Sequence, residues 1–409
     1  MDFNLTSEQR EIWLWAKDFA NKEIAPKVEE NDRKKEFDFD LLKKIADNGF
    51  FGTILPEKYG GQNIDHIAYA LITEEIARVC SSTRTLFSVQ ISLVEKPILH
   101  FGTDAQKEKY LPKMASGEII GCFGLTEPNA GSDAGNQQTT AKQDGDHWVL
   151  NGQKTWISNG SIAHVAIVIA QADSSKGHKG MCAFLVDTDT AGFSARKIEP
   201  KLGLHSSDTS ELFLDNVRVH ESQMLGKPGE GFKVAMYCLD QGRFSVAAGG
   251  VGVLQACVDN STQYAMEREA FGQKIGEFQM LQSMIADMAV DTECGRLLVL
   301  RAAFKKDQGV RNTRETSMAK LFCADAANRA AYNAVQIYGG YGFSEEYPVA
   351  RIYRDARVLS LYEGTSQIHK IIISHDELGL RAANGPNMPS NPVDRLSSSD
   401  DLMQTVAAL

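Results

Sequence analysis

The chain has 409 residues, 43% of them hydrophobic and 23% charged, a composition typical of a globular protein with two or three domains. Its formal net charge of −10 argues against nucleic acid or an anionic membrane surface as the principal partner. Seven scattered cysteines without a C-x-x-C pair, together with an N-terminus that lacks a signal-peptide pattern and the absence of a long apolar run, predict a cytoplasmic protein with no membrane span.

Residues 1–120 are predicted to form an N-terminal helical domain. Helical spacing of apolar residues begins at a capping-box pattern, Thr6 to Gln9, and continues to about residue 30. A second, shorter helix ends before the loop 55–61, and helical periodicity resumes over residues 66–100.

Residues 121–230 are predicted to form a middle β domain. Short runs rich in β-branched and aromatic residues are separated here by Gly, Asp, Asn and Ser. The runs are IIGCFGLT, HWVLNG, KTWISN, HVAIVIAQA, MCAFLVD and SELFLDNVRV. Because no helical pattern lies between them, they predict a small antiparallel β-barrel or sandwich.

Residues 231–383 are predicted to form a C-terminal helical bundle, which makes the fold class α+β. Gly249, Gly250 and Gly252 lie inside its first long helical run, where each costs about 1 kcal/mol of helix propensity relative to Ala. We therefore expect another helix or a ligand to approach this backbone closely. The Pro-, Ser- and Asn-rich residues 384–409 are predicted to be a flexible tail.

The most informative single residue is Glu363, which lies between Tyr362 and Gly364 in apolar surroundings. Burial of an unpaired carboxylate raises its pKa and makes it a proton acceptor near neutral pH, so Glu363 is predicted to be a general base. These residues leave one alternative open, an ion pair between Glu363 and the nearby Arg351, Arg354 or Arg357.

Three further segments could carry chemistry. Residues 125–133 (LTEPNAGSD) form a polar turn that could hold a phosphate or an electron-rich ring, although its dipeptides are common in turns. Trp156 and Ser158 are expected on one face of a strand, where the indole stacks on a planar cofactor or packs in the core. Arg268 is either an ion-pair residue or a phosphate clamp.

Several well-known sites are not predicted. The diglycine stretches lack the G-x-G-x-x-G spacing of a Rossmann site, and the chain has neither a P-loop nor a G-x-S-x-G elbow. The nine histidines form no ligand cluster, so no metal is expected.

Five motifs occur in a fixed order: LTEPNAGSD, KTWISNG, REAFGQKIGEFQ, QIYGGYGF and RDARVLSLYEGTSQI. In this combination the chain resembles the acyl-CoA dehydrogenase family of flavoproteins over residues 1 to about 383. The resemblance implies an FAD-dependent oxidoreductase that acts on an acyl-CoA in fatty acid or amino acid catabolism and passes electrons to an electron-transfer flavoprotein. It also implies a homotetramer, a dimer of dimers in which FAD contacts cross subunits.

The resemblance assigns FAD contacts residue by residue. The turn 125–133 and the strand that carries Trp156 would meet the flavin ring, and a second set would hold the pyrophosphate and adenine across a subunit interface. The implied FAD contacts are Phe123, Leu125, Thr126, Gly131, Ser132, Trp156, Ile157, Ser158, Arg268, Phe271, Gln279, Gln336, Gly339, Gly340, Thr365 and Gln367.

Glu363 matches the catalytic base of the family. The resemblance implies that it abstracts the α-proton while the β-hydrogen leaves as hydride to flavin N5, with the thioester carbonyl polarised by the N–H of the base and a ribityl hydroxyl. Some members carry the base on the long helix instead, and here that position is Gly242. The implied substrate contacts are Ser132, Asp240, Arg243, Gly364 and, for one substrate class, Arg84.

Arg84 bears on the identity of the acyl group. Residues 81–94 resemble the glutaryl-CoA dehydrogenase branch, in which an Arg at this position pairs with the distal carboxylate of the substrate. Ala77 lies where decarboxylating members carry a Glu, which argues against decarboxylation. Arg84 as a surface residue at a helix start is the alternative.

The leading expectation is therefore a short, branched or cyclic monoacyl-CoA. Glutaryl-CoA or another dicarboxylyl-CoA is the alternative substrate. An acyl-CoA oxidase and a DNA-binding flavoprotein of the same fold are remote alternatives.

Overall fold

The computed structural model describes residues 4–380. The predicted tail, residues 384–409, lies outside the described residues. Helices come first, a β-sheet follows and long helices complete the chain, so the predicted α+β class and the order of its parts are confirmed. The division of the chain at residues 120 and 230 stays a prediction; the first strand begins at Gly121 and the first long C-terminal helix at Gly231.

The N-terminal part begins with the predicted capping box. The Thr6 hydroxyl accepts a hydrogen bond from the Gln9 N–H at 3.1 Å, and the Gln9 side chain accepts one from the Thr6 N–H at 3.0 Å. Its helices are α1 (Ser7–Phe19), α2 (Val28–Lys34), α3 (Phe39–Asp47), α4 (His66–Val79), α5 (Ser81–Ser88), α6 (Lys96–Phe101) and α7 (Asp104–Ala115), with π-helical turns at Ala20–Ile24 and Val89–Glu95.

The middle part is a seven-stranded sheet. Its strands are β1 (Gly121–Gly124), β2 (Thr140–Asp144), β3 (His147–Ser158), β4 (Val165–Gln171), β5 (Met181–Asp187), β6 (Phe193–Lys197) and β7 (Thr209–His220). Along one path the strand order is β1-β4-β2-β3-β7-β6, and β5 also pairs with β4.

The strands differ from the sequence prediction in three respects. Two predicted runs, HWVLNG and KTWISN, belong to the single strand β3. Strands β2 and β6 were not predicted, because their mostly exposed residues, TAKQD and FSARK, carry no apolar alternation. The sheet is also mixed, since β1 runs parallel to β4 although most of the other pairs are antiparallel.

Long helices form the C-terminal part. They are α8 (Gly231–Glu267), α9 (Gln279–Asp307) and α10 (Thr313–Tyr338), followed by the shorter α11 (Pro348–Ala356) and α12 (Ser366–Glu377). A two-residue hairpin, β8 (Glu269–Ala270) with β9 (Gln273–Lys274), links α8 to α9. None of the described helices is long and apolar enough to cross a membrane.

The predicted close approach to the α8 glycines is confirmed. A Cβ on Gly250 would lie 2.9 Å from the Cβ of Cys323 in α10, and one on Gly252 would lie 2.7 Å from the backbone nitrogen of Arg78 in α4 and against the Glu74 carbonyl. A Cβ on Gly249 would lie 2.9 Å from Nε of Arg84. Two of these glycines therefore admit neighbouring helices, and the third admits a buried arginine.

We expect Gly252→Ala to destabilise the protein by roughly 1–3 kcal/mol, even though Ala gains about 1 kcal/mol of helix propensity. The added methyl would meet backbone atoms of α4 that cannot rotate away. The midpoint of thermal unfolding measures the effect. Gly295→Ala in α9 is the matched control, because the nearest atom to its methyl would be a side-chain atom, the Cys323 sulfur at 3.1 Å, and not backbone. Equal midpoints for the two variants would contradict this account of the α4–α8 contact.

Candidate active site

Glu363 lies in the loop between α11 and α12, and its backbone is left-handed. Its φ is +53°, and the φ of Gly364 is +89°. A left-handed conformation costs a non-glycine residue roughly 1–2 kcal/mol, so the surroundings must hold it in place. Nε of Arg243 and Nε2 of His369 each donate to the Glu363 carbonyl at 3.2 Å, and Nζ of Lys320 donates to the Gly364 carbonyl at 2.6 Å.

The Glu363 carboxylate has no hydrogen-bond partner among the described residues. Its Oε2 is fully covered, and burial raises the pKa of Glu363 to about 7, against the opposing effect of the Arg243, Lys320 and Arg84 charges. The alternative of a local ion pair is wrong for all three arginines. Arg351 binds Glu29 and Arg354 binds Asp32, whereas Arg357 donates to Ser360.

Gly242 of α8 makes room for this carboxylate. A Cβ at position 242 would lie 2.6 Å from Oε2 of Glu363 and 2.8 Å from Cδ2 of Leu93. A side chain here would therefore displace Glu363, so positions 242 and 363 cannot both carry a carboxylate in this arrangement.

Arg84 lies in the same site and is only 2% exposed, so the alternative of a surface residue is wrong. One guanidinium nitrogen donates to the Tyr362 hydroxyl, and the guanidinium carbon lies 5.7 Å from the centre of the Tyr362 ring. The buried Nε has no partner, and within residues 4–380 no carboxylate pairs with Arg84. Gly249 gives the Arg84 stem its space, since a Cβ there would lie 3.0 Å from Cδ.

The predicted substrate contacts Asp240 and Ser132 lie in different surroundings. Asp240 accepts hydrogen bonds from Arg243 at 3.2 Å and from Thr313 at 3.0 Å, so it supports the arginine that holds the Glu363 loop. Ser132 is exposed on the polar turn.

The first set of predicted cofactor residues comes together beside the sheet. The Thr155 N–H donates to the Thr126 carbonyl at 2.9 Å, which joins β3 to the turn 125–133. Trp156 is 62% exposed with φ +61°, so the core alternative for its indole is wrong. A register shift between Lys154 and Ile157 interrupts the strand alternation on which the placement of Trp156 and Ser158 on one face was based.

An apolar cluster links this first set to Leu93, which lies beside the Glu363 carboxylate at Gly242. Phe123 and Leu125 are buried in the same apolar cluster as Leu93 and the Cys238 region of α8. Ile157 is buried on the sheet side of the turn. Thr365 caps α12 by accepting from the Ile368 N–H at 3.3 Å, and Gln367, two residues later, is exposed.

The second set lies at the other end of α8. The Arg268 guanidinium lies 5.4 Å from the centre of the Tyr341 ring, which brings the segment 268–279 next to the segment 336–343. Phe271 is 97% exposed, and a Cβ on Gly339 or Gly340 would meet nothing within 4 Å. Gln279 and Gln336 are exposed as well. Arg268 follows Arg243 by 25 positions, which on an α-helix is roughly 37 Å.

The sequence analysis missed several buried polar residues that hold the site. Lys154 donates to Glu127 at 2.7 Å, to Gln137 at 2.6 Å and to the Leu125 carbonyl at 3.2 Å, and Glu127 accepts from two backbone N–H groups of the segment 138–139. Lys320 was missed too, although a lone lysine in the apolar run MAKLFCADAA is a usable signal.

These surfaces fit a flavin nucleotide. An exposed indole stands beside a polar turn held rigid by a buried ion pair, and a glycine at position 131 leaves the space above it open. Such a turn presents hydroxyls and N–H groups to the edge of a ring, while the indole offers it a flat face.

Comparison with known proteins agrees with this geometry. The chain matches the N-terminal domain of acyl-CoA dehydrogenase over residues 6–118, the middle domain over 122–217 and the C-terminal domain over 229–378. It is 44% identical to glutaryl-CoA dehydrogenase of Desulfococcus multivorans, with 94% of this chain and 100% of that protein covered.

Two solved structures are similarly close. The butyryl-CoA dehydrogenase of Megasphaera elsdenii superposes with a TM-score of 0.91 at 42% identity, covering 92% of this chain and 100% of that one. A chain from a structural study of the electron transferring flavoprotein of Acidaminococcus fermentans gives a TM-score of 0.91 at 44% identity, with the same coverage. The chain therefore belongs to the acyl-CoA dehydrogenase family, whose members are FAD-containing oxidoreductases that act on CH–CH donors.

Proposed function

We propose that this protein removes the α- and β-hydrogens of an acyl-CoA thioester and that Glu363 is the base. One observation carries the proposal: a covered carboxylate without a partner, in a left-handed loop, with a pKa raised by burial to about 7. A carboxylate of this kind accepts a proton readily near neutral pH, because its ionised form is not stabilised by a close ion pair.

The steps assigned to the chain itself are binding, polarisation and proton transfer. The Glu363 carboxylate takes the α-proton. Within residues 4–380 the N–H of Glu363 donates to no acceptor, so it is available to donate to the thioester carbonyl. Such a hydrogen bond would make the α-proton more acidic, because it stabilises the negative charge that develops on the carbonyl oxygen. Leu93 and the α8 backbone at Gly242 close the space around the carboxylate and restrict water.

FAD would be held by two sets of residues. Thr126, Ser132, Trp156 and Ser158 would meet the ring, and Arg268, Gln279 and the Gln336–Gly340 turn would hold the nucleotide end. When bound, FAD supplies the acceptor for the β-hydrogen as hydride.

The two sets support an oligomer. Arg268 of the second set lies roughly 37 Å along α8 from Arg243, which holds the Glu363 loop, so we expect a second copy of the chain to complete each cofactor site. Val290, Leu297 and Phe304 are exposed on α9 at seven-residue spacing, a pattern that favours helix pairing between copies. We expect a homotetramer.

Two further assignments complete the proposal. We expect an electron-transfer flavoprotein as the electron acceptor, which the likeness to the Acidaminococcus fermentans chain supports. The seven cysteines are free and six of them are buried, which supports a cytoplasmic location.

Arg84 favours a dicarboxylyl substrate over the monoacyl class. A buried guanidinium with an unpaired Nε and no carboxylate partner lacks the compensation that a buried charge requires, and a carboxylate at the end of the acyl chain would provide it. The relative from Desulfococcus multivorans carries the name of such an activity. Ala77 packs near Gly252 in the α4–α8 contact and offers no carboxylate, so we expect the substrate carboxylate to be retained in the product.

We expect Glu363→Gln to keep the fold and FAD but to slow flavin reduction by acyl-CoA about 10³-fold, because the amide cannot accept the α-proton. In the wild type the rate should rise with pH through a midpoint near 7, since only the ionised carboxylate is active and its pKa is raised to about 7. Anaerobic stopped-flow absorbance measures both effects. Glu95→Gln removes another buried carboxylate without a partner and should leave the rate unchanged. A Glu363→Gln enzyme with near wild-type rate would refute the assignment.

We expect Arg84→Met to weaken flavin reduction by glutaryl-CoA about 10- to 100-fold, the effect of losing a charge-assisted hydrogen bond. Reduction by butyryl-CoA should be unchanged or faster. Arg84→Lys keeps the charge but loses the planar fork, and should lie between the two. The measurement is the ratio of kcat/KM for the two thioesters. An unchanged ratio would contradict the role of Arg84 and favour a monoacyl-CoA as the substrate.

We expect Lys154→Met to release FAD, because Glu127 would be left as a buried unpaired charge in the turn that meets the flavin. The ratio of flavin to protein absorbance after gel filtration should fall about 10-fold. The double variant Lys154→Met with Glu127→Gln removes both charges and should recover part of the FAD. Full FAD occupancy in the single variant would show that the ion pair does not support the turn.

A further inference from the structure

Lys320 is a buried lysine to which the reaction above gives no role. It lies in the N-terminal third of α10 with 0% of its side chain exposed. Among the described residues no carboxylate lies within ion-pair distance of its ammonium, whereas the equally buried Lys154 pairs with Glu127 at 2.7 Å. Burying an ammonium without a paired carboxylate costs several kcal/mol, so Lys320 is a poor choice for stability alone.

What Lys320 does contact is the loop that carries Glu363. Its Nζ donates to the Gly364 carbonyl at 2.6 Å. The preceding carbonyl, that of Glu363, is bound by Arg243 and His369. Two consecutive carbonyls in left-handed backbone are thus held by donors from α8, α10 and α12.

The aim of the Glu363 carboxylate depends on this backbone. No hydrogen bond within the described part of the chain fixes either carboxylate oxygen, and Oε2 is covered without a partner. A side chain that is not tied at its tip points where its backbone directs it. A small rotation at residues 363–364 would therefore move the base away from the substrate carbon.

We propose that Lys320 is the positioning residue of the catalytic loop: by binding the Gly364 carbonyl from inside the fold, it holds residues 363–364 in their left-handed conformation and aims the Glu363 carboxylate. This inference rests on the proposed role of Glu363 as the base.

The charge of Lys320 also acts on the Glu363 carboxylate. It lowers the pKa of Glu363, together with Arg243 of α8 and Arg84 of α5, against the larger effect of burial, which raises it. Burial in turn lowers the pKa of Lys320 to about 7, and the Glu363 charge opposes that shift. The charge of Asp325 in α10 also opposes the shift of Lys320. Burial lowers the pKa of His369 to about 3 and raises the pKa of Tyr362 and of Cys238, so these three neighbours are neutral at pH 7. Loss of Lys320 should therefore raise the pKa of Glu363.

The test compares wild type, Lys320→Met and Lys320→Gln in anaerobic single-turnover flavin reduction across the neutral pH range. Lys320→Met should keep FAD, reduce the flavin about 10-fold more slowly and move the acid limb of the profile to higher pH by about half a unit or more. Lys320→Gln retains a neutral donor, so its rate should lie between the two while its acid limb also moves up. Ser317→Ala removes a buried hydroxyl without a partner one turn earlier on α10, and should change neither quantity.

Wild-type rate and acid limb in Lys320→Met would overturn the proposal, and so would a slower rate with an unmoved acid limb, since a merely structural loss leaves the titration in place. If Lys320→Met does not fold, Lys320→Gln decides by the same two criteria.

A second readout does not depend on turnover. The infrared carboxyl band that Glu363→Gln removes gives the titration midpoint of Glu363 directly, and the midpoint should be higher in Lys320→Met than in wild type. If no acyl-CoA reduces the wild-type flavin, the proposed function fails. The infrared midpoint then still decides the role of Lys320, and equal midpoints would overturn it.

Discussion

The left-handed backbone at Glu363 and Gly364 is the constraint on which the site depends. A side chain larger than glycine adopts this conformation at a cost, and the fold meets that cost with donors from three helices that bind two consecutive carbonyls. In return the loop carries a carboxylate without a hydrogen-bond partner and an N–H that donates to no acceptor within residues 4–380. The two groups that the proposed mechanism needs to remove a proton beside a carbonyl would thus come from one residue.

Buried charge is used in two ways in this molecule. Lys154 and Glu127 pair at 2.7 Å and shape a turn, so their charges compensate each other within the fold. Arg84, Lys320 and Glu363 are also buried or covered but form no ion pair with one another. Unpaired buried charges destabilise a protein unless a ligand or a reaction uses them, and their meeting at one loop is the strongest sign that this loop is the site.

Glycines of helix α8 make room both for neighbouring helices and for side chains of the site. Its glycines at 250 and 252 let α10 and α4 approach, whereas those at 242 and 249 leave volume for Glu363 and Arg84. All four glycines lower the helix propensity of α8. Those at 250 and 252 allow close helix packing, and those at 242 and 249 leave space in the site. The same helix runs roughly 37 Å from Arg243, which holds the Glu363 loop, to Arg268 of the second set of predicted cofactor residues.

The sequence by itself determined the succession of helical, β and helical parts, because the apolar period changes from helical to strand-like and back at those points. It also indicated Glu363 as the candidate base, because a carboxylate in an apolar run is expected to be buried and burial raises its pKa. The strands β2 and β6 could not be found this way, because polar strands carry no alternation and are fixed only by pairing with β3 and β7. Lys154 and Lys320 act on residues 17 to 44 positions away in the chain, and such contacts arise only when helices and strands pack. The burial of Arg84 was likewise decided by the tertiary structure, because the glycine that admits it lies on another helix.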